Sequence, residues 1–365
     1  MAFKKILLSE AKAGMELAND IYDDKGRLLI PFGTVLDKEL ISRMEAYDVI
    51  VIKIVEKSEI DDLFMDSVDK KETKESGYIE NIKMEPKFQE FDNNFNDSVN
   101  DLKLEFNDIV VKHKEIDVEG MLKSVKQVIS SNKTKYSLFD MLSCMRGYDD
   151  LTFVHCMNVS LICSVMADWL GYSEKDKDTL MAAGLLHDIG KIKIPKDIIT
   201  KPGKLTEKEY KIIKLHPVYG YEILINQPID PRIKNATLMH HERYDGGGYP
   251  RGIAGENIDE MSKIVAIADV YDAMTANRVY REGLSPFDVI DFFEQHISLF
   301  DPKILLMFLQ KTAQTYVSTT VLLSNGLEGK IAMINNNAIG HPVVICGDKV
   351  VDLSRDKSLK IVKLV

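Results

Sequence analysis

At 365 residues the chain exceeds the usual size of one domain, and its 45% hydrophobic content is ample for two or three buried cores. A formal charge of −10 argues against nonspecific binding to nucleic acid or anionic lipid. The first ten residues carry only a three-residue apolar run, and Asp168 interrupts the apolar stretch from Val159 to Leu170. Neither a signal-peptide core nor a membrane span is therefore expected, and the cytoplasm is the default compartment.

In chain order, residues 18–36 read as a hairpin, with Asp23-Asp24-Lys25-Gly26 as its turn and alternating apolar residues on both sides. A helix over 38–46 and a strand over 49–55 complete a small α+β unit spanning 1–56, which holds no catalytic cluster and is assigned a regulatory or interaction role. From Lys57 to Asp92 there are eleven Asp and Glu against six Lys, a net of −5, so half the excess charge lies in one stretch. That stretch, 57–93, reads as an acidic linker, with a short helix over 60–68 as its only element. Connecting helices are expected over 94–137 and a helical catalytic block over 138–320. The segment 321–365, with an Asn325-Gly326 turn and short β-branched runs at 330–334 and 342–345, reads as a β-rich appendage. The four cysteines show no paired spacing, so reduced, partly buried thiols are expected; Cys156, beside His155, is the candidate for oxidation.

Within the helical block, seven residues form a candidate ligand set: His155, His187, Asp188, His216, His240, His241 and Asp269. A lone histidine on an apolar stripe is more often a core side chain than a ligand, but five of the chain's eight histidines fall in this set. His113, His296 and His341 read as structural or surface residues. Imidazoles and carboxylates together suit Fe, Mn or Zn, and an aspartate next to a histidine can bridge two ions that activate one water. The chemistry implied is metal-dependent hydrolysis.

Local periodicity places the set. His155 shares an inner helix face with Val159, Ile162, Met166 and Trp169. A helix capped by Ser173 and Asp176 is expected to run through His187 to Gly190 or just beyond, with Asp188 about 100° round from His187 near the helix end. Thr206 and Glu209 match a capping box that opens the helix carrying Tyr210, Ile213 and then His216, before Pro217 perturbs it. His240 and His241 end a helix begun near Pro231, and Gly246 to Gly248 terminate it in a mobile loop. Asp269 lies in the apolar helix KIVAIADVYDAM, where an unpaired carboxylate is costly; Asp272 is an alternative that reads as a salt-bridge partner. Lys191 lies one turn after His187, on the same side.

The strings HDIGK at 187–191, HHERYDGGGYP at 240–250 and ADVYDAMTANRVYR at 268–281, in that order and with His155 and His216 at suitable spacing, resemble the HD-GYP family of HD-type phosphohydrolases. The resemblance covers roughly residues 138–309 and includes the Gly248-Tyr249-Pro250 triplet. It implies a mainly α fold, an HD-type helical bundle around a metal cluster, flanked here by the small α+β unit and the β appendage. It also implies hydrolysis of cyclic di-GMP to pGpG, with a second cut to GMP in some members, by two divalent ions, iron or manganese. Asp188 would be shared, with His155, His187 and Asp269 on one ion and His216, His240 and His241 on the other. A third ion in some members uses a glutamate four residues before the first histidine; Leu151 stands there, so two ions are expected, and Asp149 and Asp150 lie on other helix faces. Arg278 and Arg281 match basic positions for the second phosphate or a guanine, or else form a solvated face. Tyr249 would stack on a base or dock a partner. A protein partner is expected through the N-terminal unit or the glycine loop, with a homodimer as one option and no nucleic acid polymer or membrane. The competing readings are hydrolysis of another cyclic dinucleotide or nucleotide, and a receptor that binds the dinucleotide without cutting it.

Overall fold

The computed structural model describes residues 2–22, 28–31, 33–47, 49–56, 77–132, 137–145, 151–201, 203, 205–276 and 283–365. The first unit pairs strand β1 (Ala2–Leu7) with β4 (Val51–Glu56) in antiparallel register, Ile6 opposite Ile52. Between them come β2 (Ile21–Tyr22) and β3 (Leu28–Ile30), antiparallel as the hairpin reading expects, and helix α1 (Lys38–Glu45), capped by the Asp37 side chain. Its core of Leu17, Ile21, Ile30, Leu36, Met44 and Ile52 is separate from the main one. The turn expected at 23–26 lies outside the described residues, as does the helix expected at 60–68. Strand β1 was not anticipated, because its partner is almost fifty residues away.

The second half of the stretch read as a linker is helical: α2 (Gly77–Lys83) and the long α3 (Phe88–Lys112). Buried Tyr78, Ile82, Phe88, Phe91 and Phe95 line their inner faces, and the dense acidic residues between them mask that period in the sequence. There follow α4 (Val118–Ser131), α5 (Leu138–Cys144), α6 (Leu151–Leu170), α7 (Glu174–Leu186), a 3-10 turn (Ile189–Lys193), α8 (Lys196–Ile199), α9 (Glu207–Ile213), α10 (His216–Leu224), α11 (Pro231–Met239), α12 (Glu260–Thr275), α13 (Pro286–Gln295) and α14 (Pro302–Thr315). The capping box read at Thr206 with Glu209 starts α9 and Ser173 caps α7 as read, while a further capping box, at Ser137 with Asp140, starts α5.

The helices form a bundle around α6, whose Cys156, Val159, Ile162, Cys163 and Met166 are fully buried. Helix α6 is long and apolar enough to cross a membrane by length and composition, but most of it is buried inside the protein. It crosses α7 so closely that a Cβ on Gly184 would sit 3.0 Å from the Ser160 Cα. Phe139, Trp169, Tyr271 and Phe308 from four helices pack ring on ring at centroid distances of 5.2–6.2 Å.

The C-terminal segment is a five-stranded antiparallel sheet in the order β8-β7-β6-β5-β9, with β5 Thr320–Leu323, β6 Glu328–Met333, β7 Val343–Cys346, β8 Lys349–Asp352 and β9 Ile361–Leu364. The β5–β6 turn uses Gly326 at φ 82°, a conformation glycine adopts freely. Val321, Ile331, Val344 and Ile361 join the core of the bundle, so the sheet is packed onto it.

Candidate metal centre

Helix ends supply five of the seven expected ligands, and the bodies of two helices supply the others. His155 projects from the second turn of α6 and Asp269 from the middle of α12. Helix α7 stops at Leu186, earlier than its periodicity suggests, so His187 is its C-cap and Asp188 opens the 3-10 turn. The break turns both side chains of an adjacent pair into one site, which a continuous helix would keep 100° apart. His216 does not end the Thr206 helix; it is the first residue of α10, where Pro217 is tolerated because the first turn needs no amide donor there. His240 caps α11 and His241 follows it. His187, Asp188, His216, His240 and Asp269 are all at most 2% exposed.

Backbone carbonyls fix the imidazoles. The Nδ1 of His187 donates to the Gly184 carbonyl at 2.7 Å, that of His216 to Ile213 at 2.7 Å, and that of His240 to Thr237 at 3.0 Å. With the proton held on Nδ1, each Nε2 presents its lone pair to the centre. The Nδ1 of His155 meets Asp272 Oδ2 at 2.7 Å, and Asn158 donates to the other Asp272 oxygen at 2.9 Å. Asp272 is therefore not a rival of Asp269; it orients His155 from behind.

The inward atoms form two groups. His155 Nε2 lies 2.9 Å from Asp269 Oδ1, and His187 Nε2 lies 3.3 Å from Asp188 Oδ2. On the other side His216 Nε2 is 3.1 Å from Asp188 Oδ1 and 3.2 Å from His240 Nε2. Two ligand triplets whose donor atoms lie within 4.8 Å of one another are His155, His187, Asp269 and His216, His240, His241. The two oxygens of Asp188 face one triplet each.

The residues fit divalent ions. His187 Nε2, Asp188 Oδ1 and Asp269 Oδ2 are buried without a hydrogen-bond partner, and the close pair of Nε2 lone pairs on His216 and His240 is repulsive unless a cation lies between them. Five imidazoles and two carboxylates suit Fe, Mn or Zn.

Charge follows the same arrangement. Burial opposes ionisation of Asp188, yet Lys191, His187 and His216 hold its pKa well below the ordinary 3.8. Asp269 is likewise lowered, chiefly through His155, against its burial. Burial and the neighbouring His187 and His216 push His240 down to about 3. Burial and His240 push His241 well below 6.5. His155 goes the other way: burial lowers it, but the carboxylates of Asp269 and Asp272 win and raise it to about 9.

That shift has a testable sign. In metal-stripped protein the extra proton must leave before His155 can ligate, so metal uptake should release a proton, and affinity should rise with pH until about 9. The same raised pKa stabilises the stripped protein fully below the ordinary 6.5, and this contribution is lost as pH rises through about 9. Asp272→Asn should move the plateau to lower pH and weaken metal binding by roughly 10–100-fold. Calorimetry in buffers of different ionisation enthalpy measures both, and an unchanged plateau would remove Asp272 from this role.

The Lys191 ammonium pairs with Asp188 and its side chain is about a quarter exposed, at the edge of the centre. Arg278 and Arg281 lie outside the described residues, as do Asp149, Asp150 and the side chain of Leu151. The ring of Tyr249 stacks on His241, with centroids 4.6 Å apart and planes at 25°.

The glycine loop follows the helix end and does not make it. The α11 helix has already ended at Met239, and the loop folds back on the histidine pair: Tyr249 N–H donates to the His241 carbonyl, and a Cβ on Gly248 would lie 2.5 Å from that same oxygen. Buried Glu242 accepts the amides of Arg251 at 2.8 Å and Ile253 at 3.0 Å. Its role was missed, though an acid between paired histidines and a glycine run is the signal that loop amides need an acceptor. Cys156 is also reassigned. It is fully buried, and burial, then the nearby Asp188, raises its thiol well above 9.0. Such a thiol is inert, so iodoacetamide should label it only after unfolding, as read by intact mass; rapid labelling of native protein would contradict this.

Residues 118–304 match the HD domain family, over half of the chain. The chain belongs to the HD domain family. Its Gly248-Tyr249-Pro250 triplet and histidine spacing are those of the HD-GYP members. The chain is 36% identical over 209 residues to the cyclic di-GMP phosphodiesterase response regulator RpfG of Xanthomonas campestris, covering 56% of this chain and 54% of that one. It is 35% identical over 181 residues to 3'3'-cGAMP-specific phosphodiesterase 1 of Vibrio cholerae, covering 48% and 41%. It is 36% identical over 182 residues to a cyclic di-GMP phosphodiesterase of Thermotoga maritima, covering 48% and 49%. This HD domain chain thus spans about half the length of the curated relatives it matches.

Proposed function

We propose that this HD domain protein hydrolyses a phosphodiester bond of a cyclic dinucleotide, cyclic di-GMP first among the substrates to test, at a centre of two divalent ions. One observation carries the reading: the Asp188 carboxylate turns its two oxygens to two different ligand triplets. In this reading Asp188 spans both ions, His155, His187 and Asp269 hold the first, and His216, His240 and His241 hold the second. Bound ions would lower the pKa of water to near neutrality and offset the negative charge that develops on the phosphate oxygens. Nitrogen and oxygen donors of this kind suit iron or manganese.

Lys191 is assigned to a nonbridging phosphate oxygen. Its ammonium lies beside Asp188 at the exposed edge of the centre, where a phosphate that reaches the ions also reaches it. Lys191→Ala should lower kcat by roughly 100-fold and leave metal content intact; metal loss as severe as in an Asp188 variant would end the assignment. Arg278 and Arg281 are assigned to the second phosphate or a guanine.

The relatives' names include both cyclic di-GMP and 3'3'-cGAMP, so the test is a panel. Protein purified anaerobically is analysed for metal by mass spectrometry and assayed at once by chromatography with both cyclic dinucleotides. About two iron or manganese ions per chain and release of pGpG or GMP support the reading. Cleavage of 3'3'-cGAMP alone changes the substrate, and metal-loaded protein that binds but never cuts is a receptor.

A further inference from the structure

A chain of contacts among residues outside the ligand set ends at one of its members, His241. Lys214 caps α9 two residues before His216, and its Nζ lies 4.5 Å from the ring centroid of Tyr210 and 4.6 Å from that of Tyr249. The Tyr249 ring is stacked on His241, and His241 in turn packs edge-on against His216 at 5.0 Å and tilted against His240 at 4.2 Å. A cation over an aromatic face is attracted by the ring's negative quadrupole and fixes where that ring sits. The chain of contacts therefore runs from an ammonium, through a tyrosine, to a metal-ligand imidazole.

The helical turns preceding His187, His216 and His240 supply carbonyls that orient those rings. His241 lies one residue past its helix and is seated against the face of Tyr249. The loop leaves that tyrosine little choice of place, since its backbone amide is tied to the His241 carbonyl.

We propose that Lys214 is a positioning residue, whose ammonium holds the Tyr249 ring against His241 and so orients that imidazole within the His216, His240, His241 triplet. This rests on the two-ion reading of the site. It makes the tyrosine of the glycine loop part of the support of a metal ligand, with an imidazole and an ammonium each 4.6 Å from its centroid, and not a platform for a nucleobase. It also distinguishes the two lysines at the centre: Lys191 faces substrate, whereas Lys214 acts through another side chain.

The test uses the full chain stripped of metal and titrated anaerobically with Mn2+, without nucleotide. Lys214→Met keeps the aliphatic stem and removes the charge; Lys214→Arg keeps a cation able to stack. The weaker of two Mn2+ sites should lose about three- to tenfold in affinity in Lys214→Met and recover in Lys214→Arg. Adding Lys214→Met to Tyr249→Leu should produce no further loss, because the lysine acts through that ring. Unchanged Mn2+ affinity in Lys214→Met, or losses that multiply in the double variant, would overturn the proposal. So would a rise in KM for cyclic di-GMP at unchanged Mn2+ affinity, which marks a direct phosphate contact. Because the titration contains no nucleotide, a wrong substrate leaves it intact, whereas a wild-type protein that binds one ion overturns the two-ion reading and this proposal together.

Discussion

Asp188→Ala is expected to remove cyclic dinucleotide turnover and, in the same protein, metal loading. The reason is geometric: its two oxygens face different triplets at 3.3 and 3.1 Å, so its loss takes an oxygen from each. Removing an ordinary ligand from one triplet leaves the other complete, and should retain about one ion. Stability gives a second readout. Metal that binds only the folded chain adds about 4 kcal/mol at a thousandfold excess over Kd, so wild-type protein should melt higher with Mn2+ while Asp188→Ala should not respond. A variant that keeps two ions and its rate would show that Asp188 is not the shared ligand.

The second large effect concerns Gly190, in the tight turn after Asp188. A Cβ there would fall inside the van der Waals radii of the His216 carbonyl oxygen and the Gly220 amide nitrogen, and 3.0 Å from the Gly220 Cα. All three are backbone atoms, so no side-chain rotation relieves the overlap, and the 3-10 turn must move away from the start of α10. Gly190→Ala should therefore destabilise by about 3 kcal/mol, the upper end of ordinary overpacking, and weaken metal binding by displacing His216. Gly77→Ala is the control: its added methyl meets nothing within 4 Å among the described residues and should leave the thermal midpoint unchanged or raise it. Equal midpoints for Gly190→Ala and wild type would refute the close packing of the turn on α10.

How much of this was legible depended on the range of the interaction. Cap signals are local, and they placed the starts of the helices at Ser173 and Thr206. The ligand residues were legible because histidine and buried aspartate are conspicuous in apolar helices. Other features were hidden because their causes lie far along the chain. The pairing of β1 with β4 joins the two ends of its unit, and Asp272 reaches His155 across 117 positions. The helical register of Phe88, Phe91 and Phe95 was obscured by surrounding acids that face solvent.

The amino-acid sequence by itself determined the inventory: which donors exist, that they belong to a helical block, and that the set suits divalent ions. Those are properties of residue type and short-range periodicity. Only the tertiary structure decided the end of α7 at Leu186, the opposed directions of the two Asp188 oxygens, and the seat of His241 on Tyr249. Each is a contest among close-packed neighbours whose outcome depends on atoms from several helices at once, and no local pattern in the chain encodes it.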